Sequence, residues 1–265
     1  MILMSGIKMI GFDTLGKLGR LGNQMFQYAA LKGISRNMGY DYCIPPSLNK
    51  NIWKDHQLFA CFNLKSNTSF TNYPIVSEKD FSFDNQIFNN CPDNVSLWGF
   101  YQTEKYFEHI KEEIKKDFQF RDEIIESGYS LISNFKNPIS LHIRRTDYVT
   151  NPNHTVLSLE YYKKALSMFD SDREVIIFSD DPKWCLNQEL FSDDRFSVSE
   201  IGDTYIDLCL MTLCSDHIIA NSSFSWWGAW LADNTKVIAP SGWFFGSNNE
   251  HLNVEDVIPK RWETI

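Results

Sequence analysis

Two adjacent arginines and an aspartate follow a short apolar run in LHIRRTDYVT, residues 141–150. Arginines are expected at the end of a buried strand where an anion binds, because the planar guanidinium can donate two parallel hydrogen bonds to a phosphate. Arg144 and Arg145 are therefore candidate phosphate ligands. Asp147 either orients one of these arginines or acts as a general base beside them.

Two further polar clusters follow apolar runs in the second half of the chain. SDD, residues 179–181, follows the apolar run 175–178, and NSS, residues 221–223, precedes a helix start. A helix start favours a phosphate through its free N–H groups, and the Asp180 carboxylate could accept from the paired N–H groups of a guanine edge. Both clusters are also ordinary helix-entry signals, so either could be no more than a cap.

Short apolar runs that alternate with helical patterns must position these clusters. Such alternation predicts a parallel sheet, whose ligands bind beyond the carboxyl ends of the strands. If the strands are neighbours, the three polar clusters gather at one edge of this sheet. A glycine-rich turn, residues 16–22, separates the first predicted strand from a helix that ends near Gly39. The predicted strands are 7–12, 95–101, 139–143, 175–178, 217–220 and 237–239. The other predicted helices are 104–118, capped by Thr103, and 159–169, 205–214 and 224–232.

Composition excludes several classes of protein. The chain has 265 residues and a net charge of −9, which argues against a nucleic-acid binder and against docking on anionic lipid by bulk charge. No run approaches the apolar length of a membrane span, so stable membrane insertion is not expected. The apolar start, MILMSGIKMI, is too short for a secretion signal, and the six cysteines form no C-x-x-C pair. We expect reduced, buried thiols and a cytoplasmic protein, with loose association at the inner membrane face left open.

Three tryptophans lie close together in NSSFSWWGAWL, residues 221–231. Core packing explains at least one of Trp226, Trp227 and Trp230. Because adjacent residues of a helix point in different directions, we expect one indole of the adjacent pair to be available to a ligand or partner.

Four motifs in this order resemble the bacterial α1,2-fucosyltransferases of glycosyltransferase family eleven. They are GRLGNQMFQYA (19–29), HIRRTDY (142–148), FSDDPKW (178–184) and NSSFSWWGAWL (221–231). The resemblance implies an α/β, two-lobed fold of the GT-B type with Rossmann-like parallel sheets. Residues 1–135 would form the acceptor-side lobe and residues 136–265 the lobe that binds GDP-fucose, with residues 134–138 as the link.

The resemblance also implies a reaction. It is inverting, metal-independent transfer of L-fucose from GDP-fucose to the 2-hydroxyl of a terminal galactose-like residue, with no cofactor. His142 and Asp180 would meet the guanine. Arg144 would clamp the phosphates, and Arg145 would support the loop or the second phosphate. Asn23 and Gln24 would face the donor sugar or the acceptor. The implied substrate-binding residues are Asn23, Gln24, His142, Arg144, Arg145, Asp180, Asn221, Ser222, Ser223 and Phe224.

The general base and the exact function stay open at this point. The candidate catalytic residues are Arg144, Asp147 and His154, with Asp13 a weaker alternative base. The string Asp170-Ser171-Asp172 fits a metal-binding pair but follows a predicted helix. The rival functions are GDP-fucose-dependent transfer to form another linkage, a non-catalytic sugar- or nucleotide-binding protein, and a nucleotide-binding protein without sugar chemistry.

Overall fold

The chain divides into two compact units. The computed structural model describes residues 8–47, 56–232, 236–243 and 252–265. One unit comprises Met1–Gln119 with Glu255–Val257, and the other comprises Phe120–Val254 with Ile258–Ile265. This division precedes the predicted boundary after residue 135, because helix Asp122–Ile132 packs on the second unit. A Cβ on Gly128 would lie 2.7 Å from the Cys209 sulfur, so glycine permits this close approach.

The first unit is built on a sheet whose described strands are all parallel, in the order β2-β1-β4-β3. Its strands are β1 (Met9–Gly11), β2 (Asp41–Cys43), β3 (Ile75–Ser77) and β4 (Val95–Trp98). Its helices are α1 (Leu21–Met38), α2 (Leu58–Cys61), α3 (Asn85–Asn90) and α4 (Lys111–Asp117). The start of the predicted first strand, and most of the apolar amino terminus, lie outside the described residues.

Helix α1 is the largest element of the first unit, and glycines mark both of its ends. Gly19 in the preceding turn has φ 77°, and Gly39 ends the helix at φ 68° as predicted. The predicted helix over 104–118 is instead two short 3₁₀ turns followed by α4. Phe107, with φ −137° and ψ 3°, interrupts the helix; Tyr106 and Phe107 are both fully buried there.

The second unit holds a larger sheet, in which the described strands are parallel in the order β10-β9-β8-β5-β6-β7. Its strands are β5 (Ile139–Ile143), β6 (Val175–Ser179), β7 (Phe196–Val198), β8 (Asp216–Ile218), β9 (Val237–Ala239) and β10 (Glu263–Thr264). Its helices are α5 (Asp122–Ile132), α6 (Thr146–Thr150), α7 (Leu159–Leu166), α8 (Pro182–Leu186), α9 (Thr204–Leu213) and α10 (Ser223–Leu231). All five residues of β5 are buried, as expected for a central strand covered on both faces.

The expectation of an available indole on α10 is wrong. Trp226 and Trp227 are 0% exposed and Trp230 is 2% exposed. Gly228 lets α10 approach α9 closely, since a Cβ there would lie 3.0 Å from Met211. The Trp226 and Trp262 rings lie 5.3 Å apart on another side of the helix. Because α10 is enclosed on more than one side, adjacent indoles can point in different directions and still both be buried.

The six cysteines are all buried, as the sequence predicts. Of the helices that the structure describes, none has both the length and the apolar character that crossing a bilayer requires.

Candidate active site

Three neighbouring strands bring the predicted polar clusters to one edge of the second sheet. Strands β8, β5 and β6 are parallel and adjacent, and all end at this edge. The arginines follow β5, SDD 179–181 lies at the end of β6, and NSS 221–223 follows shortly after β8. The predicted meeting of the arginines with Asp180 is present in direct contacts.

Asp180 holds residues 144–146, the arginine loop, in place through contacts with all three residues. One of its oxygens accepts a hydrogen bond from the Arg145 backbone N–H at 2.8 Å. The other accepts from the Thr146 hydroxyl and lies 2.7 Å from an Arg144 guanidinium nitrogen. Burial works to raise the pKa of Asp180, but the Thr146 hydrogen bond and the Arg144 charge outweigh burial and lower it. Asp180 therefore remains ionised near neutral pH, and both its oxygens hold the loop; the guanine contact stays a prediction.

Arg144 lies between two acids and an aromatic ring. It forms ion pairs with Asp147 and Asp180, and its guanidinium lies 5.2 Å from the centre of the Tyr148 ring. Its side chain is only 14% exposed. These contacts fix the direction of the guanidinium before any ligand binds, and they place Asp147 where it can orient Arg144, one of its two predicted roles.

Arg145 is fixed independently of Arg144. Its guanidinium lies 3.9 Å from the centre of the Trp184 ring and 3.3 Å from an Asp181 oxygen. Asp181 also caps α8, accepting from the Trp184 N–H at 3.2 Å. The sequence motif contains Trp184, but its spacing alone did not indicate that the indole would support an arginine.

The start of α10 lies at the same edge and carries the predicted polar residues. Ser222 precedes the first helical residue, Ser223, and makes no side-chain capping hydrogen bond within the described chain. Asn221 has a different role from the predicted one. It is 2% exposed, and its amide nitrogen donates to the Thr155 and Trp243 carbonyls at 3.0 and 3.2 Å, so it ties two segments together.

His142 lies beneath this helix start rather than on the surface. It is 5% exposed, its Nδ1 is 2.9 Å from the Ser225 hydroxyl, and its ring centre is 5.7 Å from that of Phe224. Burial, and then the charge of Arg144, lower the pKa of His142 far below its usual range. The imidazole is therefore neutral at physiological pH, and its hydrogen-bond partner is the hydroxyl of Ser225.

His154 stacks on the ring that supports Arg144. The His154 and Tyr148 ring centres are 4.2 Å apart with 5° between the planes, and the Tyr148 hydroxyl donates to the Asn221 carbonyl at 3.1 Å. Burial lowers the pKa of His154, against a smaller opposing effect of Asp147. The ring is half-buried and neutral near pH 7, which is the form that a general base requires.

In the first unit, the structure separates the two predicted sugar-facing amides. Gln24 is 0% exposed; its nitrogen donates to the Gly19 carbonyl at 3.3 Å, and its oxygen accepts from the Gln57 N–H at 2.7 Å. The prediction that Gln24 faces a sugar is therefore wrong, because one end of its buried amide bonds the glycine turn and the other bonds Gln57. Asn23 is half-buried, and its oxygen accepts from Gln102 at 2.7 Å.

The other acidic residues considered from the sequence are Asp13, in the first unit, and the pair Asp170 and Asp172, in the second. Asp13 anchors a loop, accepting from the Thr71 N–H at 2.9 Å, the Thr71 hydroxyl at 2.8 Å and the Asn72 N–H at 2.9 Å. Asp170 and Asp172 lie between α7 and the start of β6, at the opposite end of the strands from the arginines. This position argues against a metal-binding role for Asp170 and Asp172 at the carboxyl edge of the second sheet, where Arg144 and Arg145 lie (the arginine edge).

Asp207 is an acid at the arginine edge that sequence reasoning missed. It lies in the first turn of α9 and accepts from the hydroxyl of Ser199, directly after β7, at 2.6 Å. Burial raises its pKa, the Ser199 hydrogen bond lowers it, and Asp203 adds to the rise. The helical pattern of residues 205–214 does not indicate a site role for Asp207, because only the fold places the start of α9 beside the end of β7.

A comparison with known families identifies the chain. The model of glycosyl transferase family 11 matches residues 4–265. The chain belongs to this family. The resemblance read from the four sequence motifs is thereby confirmed.

Relatives of this family 11 protein include bacterial and mammalian transferases. It is 30% identical over 294 residues to the O-antigen biosynthesis glycosyltransferase WbnK of Escherichia coli, covering 91% of this chain and 97% of that protein. It is 30% identical over 282 residues to an alpha-1,2-colitosyltransferase of Escherichia coli, covering 93% and 96%. It is 28% identical over 249 residues to the galactoside alpha-(1,2)-fucosyltransferase 2 of Rattus norvegicus, covering 86% and 69%.

Solved structures share the fold of the family 11 chain. The Bradyrhizobium fucosyltransferase NodZ superposes with a TM-score of 0.56 at 14% identity, covering 87% of this chain and 94% of NodZ. POFUT1 in complex with GDP superposes with a TM-score of 0.54 at 13% identity, covering 88% and 98%. The predicted fold class, a GT-B-type glycosyltransferase with Rossmann-like parallel sheets, is confirmed.

Proposed function

We propose that this family 11 glycosyltransferase transfers L-fucose from GDP-fucose to the 2-hydroxyl of a terminal galactose-like residue, with inversion at the anomeric carbon. The observation that carries the proposal is the arginine loop, in which acids and aromatic rings hold Arg144 and Arg145 at the carboxyl edge of the sheet. The α1,2 linkage in the names of bacterial and mammalian relatives supports the acceptor position.

The arginines would act on the leaving group. As the acceptor oxygen forms its bond to the anomeric carbon, the bond from that carbon to the β-phosphate oxygen breaks and GDP gains negative charge. A guanidinium already held in place stabilises this charge more in the transition state than in the ground state. The N–H groups at the start of α10, with Ser222 and Ser223, would bind the remaining phosphate oxygens.

His154 is the general base in this proposal. The acceptor hydroxyl must lose a proton as it attacks, and the neutral, half-buried imidazole can accept it. Asp147 pairs with Arg144, so its proposed role is to orient that arginine. The cationic charge that a metal would supply comes from the arginines in this scheme, and we propose that the reaction requires neither metal nor cofactor.

Transfer of a deoxy relative of fucose is the second candidate function. The chain is 30% identical to the alpha-1,2-colitosyltransferase and 28% identical to the rat galactoside alpha-(1,2)-fucosyltransferase 2, so sequence identity alone does not favour fucose over colitose as the donor sugar. Colitose is fucose without its 3-hydroxyl, so a phosphate and base site of the same design would serve either donor. Discrimination between them would require groups that contact the 3-hydroxyl, because a buried polar group left without its partner weakens binding of the deoxy sugar.

The experiment is a donor and acceptor panel. Purified protein is incubated with GDP-fucose or GDP-colitose and with glycans that end in galactose or in other sugars, and the product linkage is determined by NMR. An α1,2-linked fucosyl-galactose product is expected, at an unchanged rate in the presence of a chelator. A different linkage, a product from GDP-colitose alone, or nucleotide binding without transfer would each refute the proposed reaction, and a large loss with chelator would refute its metal independence.

A further inference from the structure

Glu78 in the first unit accepts hydrogen bonds that hold a sharp bend of the backbone at residues 99–102. It follows β3 directly, and its own N–H donates to the Trp98 carbonyl at 3.2 Å. One of its carboxylate oxygens accepts from the Phe100 N–H, and the other accepts from the Tyr101 N–H at 2.8 Å. A carboxylate with two accepting oxygens can serve both donors at once, whereas a neutral amide offers one accepting oxygen.

The bend that Glu78 holds has unusual backbone angles. Gly99 has φ 146°, and a Cβ there would lie 2.6 Å from the Glu78 side chain. Tyr101 is fully buried and has φ 53°, a region that a bulky residue seldom adopts. Such angles persist only where surrounding contacts impose them, and the Glu78 carboxylate supplies two of those contacts.

The bend leads to the amide of Asn23. Gln27 donates to the Gly99 carbonyl at 3.0 Å, which ties the start of the bend to α1. At the other end of the bend, the buried Gln102 donates to the Asn23 side-chain oxygen at 2.7 Å. Because this bond uses the oxygen of Asn23, the Asn23 amide nitrogen is left as a directed donor on a half-buried side chain at the start of α1.

We propose that Glu78 is a positioning residue for acceptor binding, which fixes the bend at residues 99–102 so that Gln102 aims the Asn23 amide at a hydroxyl of the acceptor sugar. This inference rests on the proposed function and assigns that reaction a residue that no sequence motif indicated. Glu78 touches no reacting atom in this scheme, so its effect reaches the substrate only through Gln102 and Asn23.

Titration of Glu78 gives the proposal a distinct signature. Burial raises the pKa of Glu78 to about 7; the Phe100 and Tyr101 N–H groups oppose this rise, and Asp80 adds to it. Of the groups around the bend, Tyr101 and Tyr106 have pKa values raised by burial and so remain neutral. As the pH falls through the pKa, protonation leaves Glu78 with one good accepting oxygen, so the bend loses a hydrogen bond.

The first test is the kinetics of Glu78→Gln, which imitates the protonated form. We expect kcat/KM for the acceptor to fall about tenfold above neutral pH, the loss that one misplaced hydrogen bond produces, with GDP affinity unchanged. The wild type should lose acceptor kcat/KM below about pH 7, and the variant should lack this acid limb. Glu108→Gln, an exposed residue of the same unit, is the matched control and should behave as the wild type.

The second test separates this inference from the proposed reaction. In the unliganded protein, the side-chain amide NMR signals of Asn23 and Gln102 should shift with pH with a midpoint near 7, and Glu78→Gln should abolish the shift. This readout requires no turnover, so it decides the role of Glu78 even if no fucose is transferred. The proposal would be overturned if the Asn23 and Gln102 signals did not change with pH, or if Glu78→Gln still lost acceptor kcat/KM below about pH 7. It would also be overturned if Glu78→Gln lowered only the affinity for GDP.

Discussion

Replacing Arg144 with alanine should slow transfer far more than it weakens the fold. In the proposed reaction the Arg144 guanidinium stabilises the departing diphosphate, and loss of one such donor typically costs 10²–10³ in rate, about 2.7–4 kcal/mol. The structural cost is smaller. Asp147 is 48% exposed and can be solvated, and Asp180 keeps the Arg145 N–H and the Thr146 hydroxyl. We expect the free energy of unfolding to fall by about 1–3 kcal/mol.

Steady-state kinetics and calorimetry together check the Arg144 prediction. GDP release gives kcat and kcat/KM, GDP titration gives the affinity, and thermal unfolding shows whether the variant is folded. Arg144→Lys is the matched control: it keeps the charge but loses the planar fork, so its rate should lie between those of the wild type and Arg144→Ala. A folded alanine variant with a wild-type rate, or one that loses only acceptor affinity, would refute the phosphate role.

Four other substitutions test the roles that the structure assigns. Asp180→Asn should weaken binding of GDP and ADP alike, measured by calorimetry, because Asp180 holds the arginine loop; a loss confined to GDP would place this carboxylate against the guanine. Trp227→Ala should lower the free energy of unfolding by about 3–5 kcal/mol, and an unchanged thermal midpoint would contradict its burial. Gln24→Ala should lower stability by about 1–3 kcal/mol, whereas Asn23→Ala should chiefly raise the acceptor KM; the reverse pattern would exchange their roles.

The arginine edge could be predicted because it depends on chain order and strand polarity alone. Alternating apolar runs indicated parallel strands, and parallel strands bring the residues that follow them to one edge. This reasoning correctly joined Arg144 and Arg145 to Asp180. It did not predict what the carboxylate would contact, because that depends on loop conformations that strand polarity does not determine.

The errors have one physical origin. Periodicity assigns a buried face to a helix, but it cannot tell how many sides of the helix are covered. Gln24 was expected to face a sugar from the family resemblance, and one of the adjacent indoles Trp226 and Trp227 was expected to be accessible because adjacent helical residues point in different directions. Neither expectation took account of how many neighbours enclose each helix. In the structure, Gln24 is enclosed by the glycine turn and Gln57, and α10 is enclosed on several sides. Likewise, the pattern of residues 104–118 predicted one helix because it did not show that the adjacent side chains of Tyr106 and Phe107 are both buried.

The indoles of α10 give this protein an intrinsic optical probe. Trp226, Trp227 and Trp230 have ring centres 5.0 to 6.1 Å apart, and all are shielded from water. Indoles in such surroundings emit at shorter wavelengths than hydrated ones and exchange excitation energy over these separations. Melting of the second unit can therefore be followed without any label, as a red shift in emission when the indoles of α10 become exposed to water.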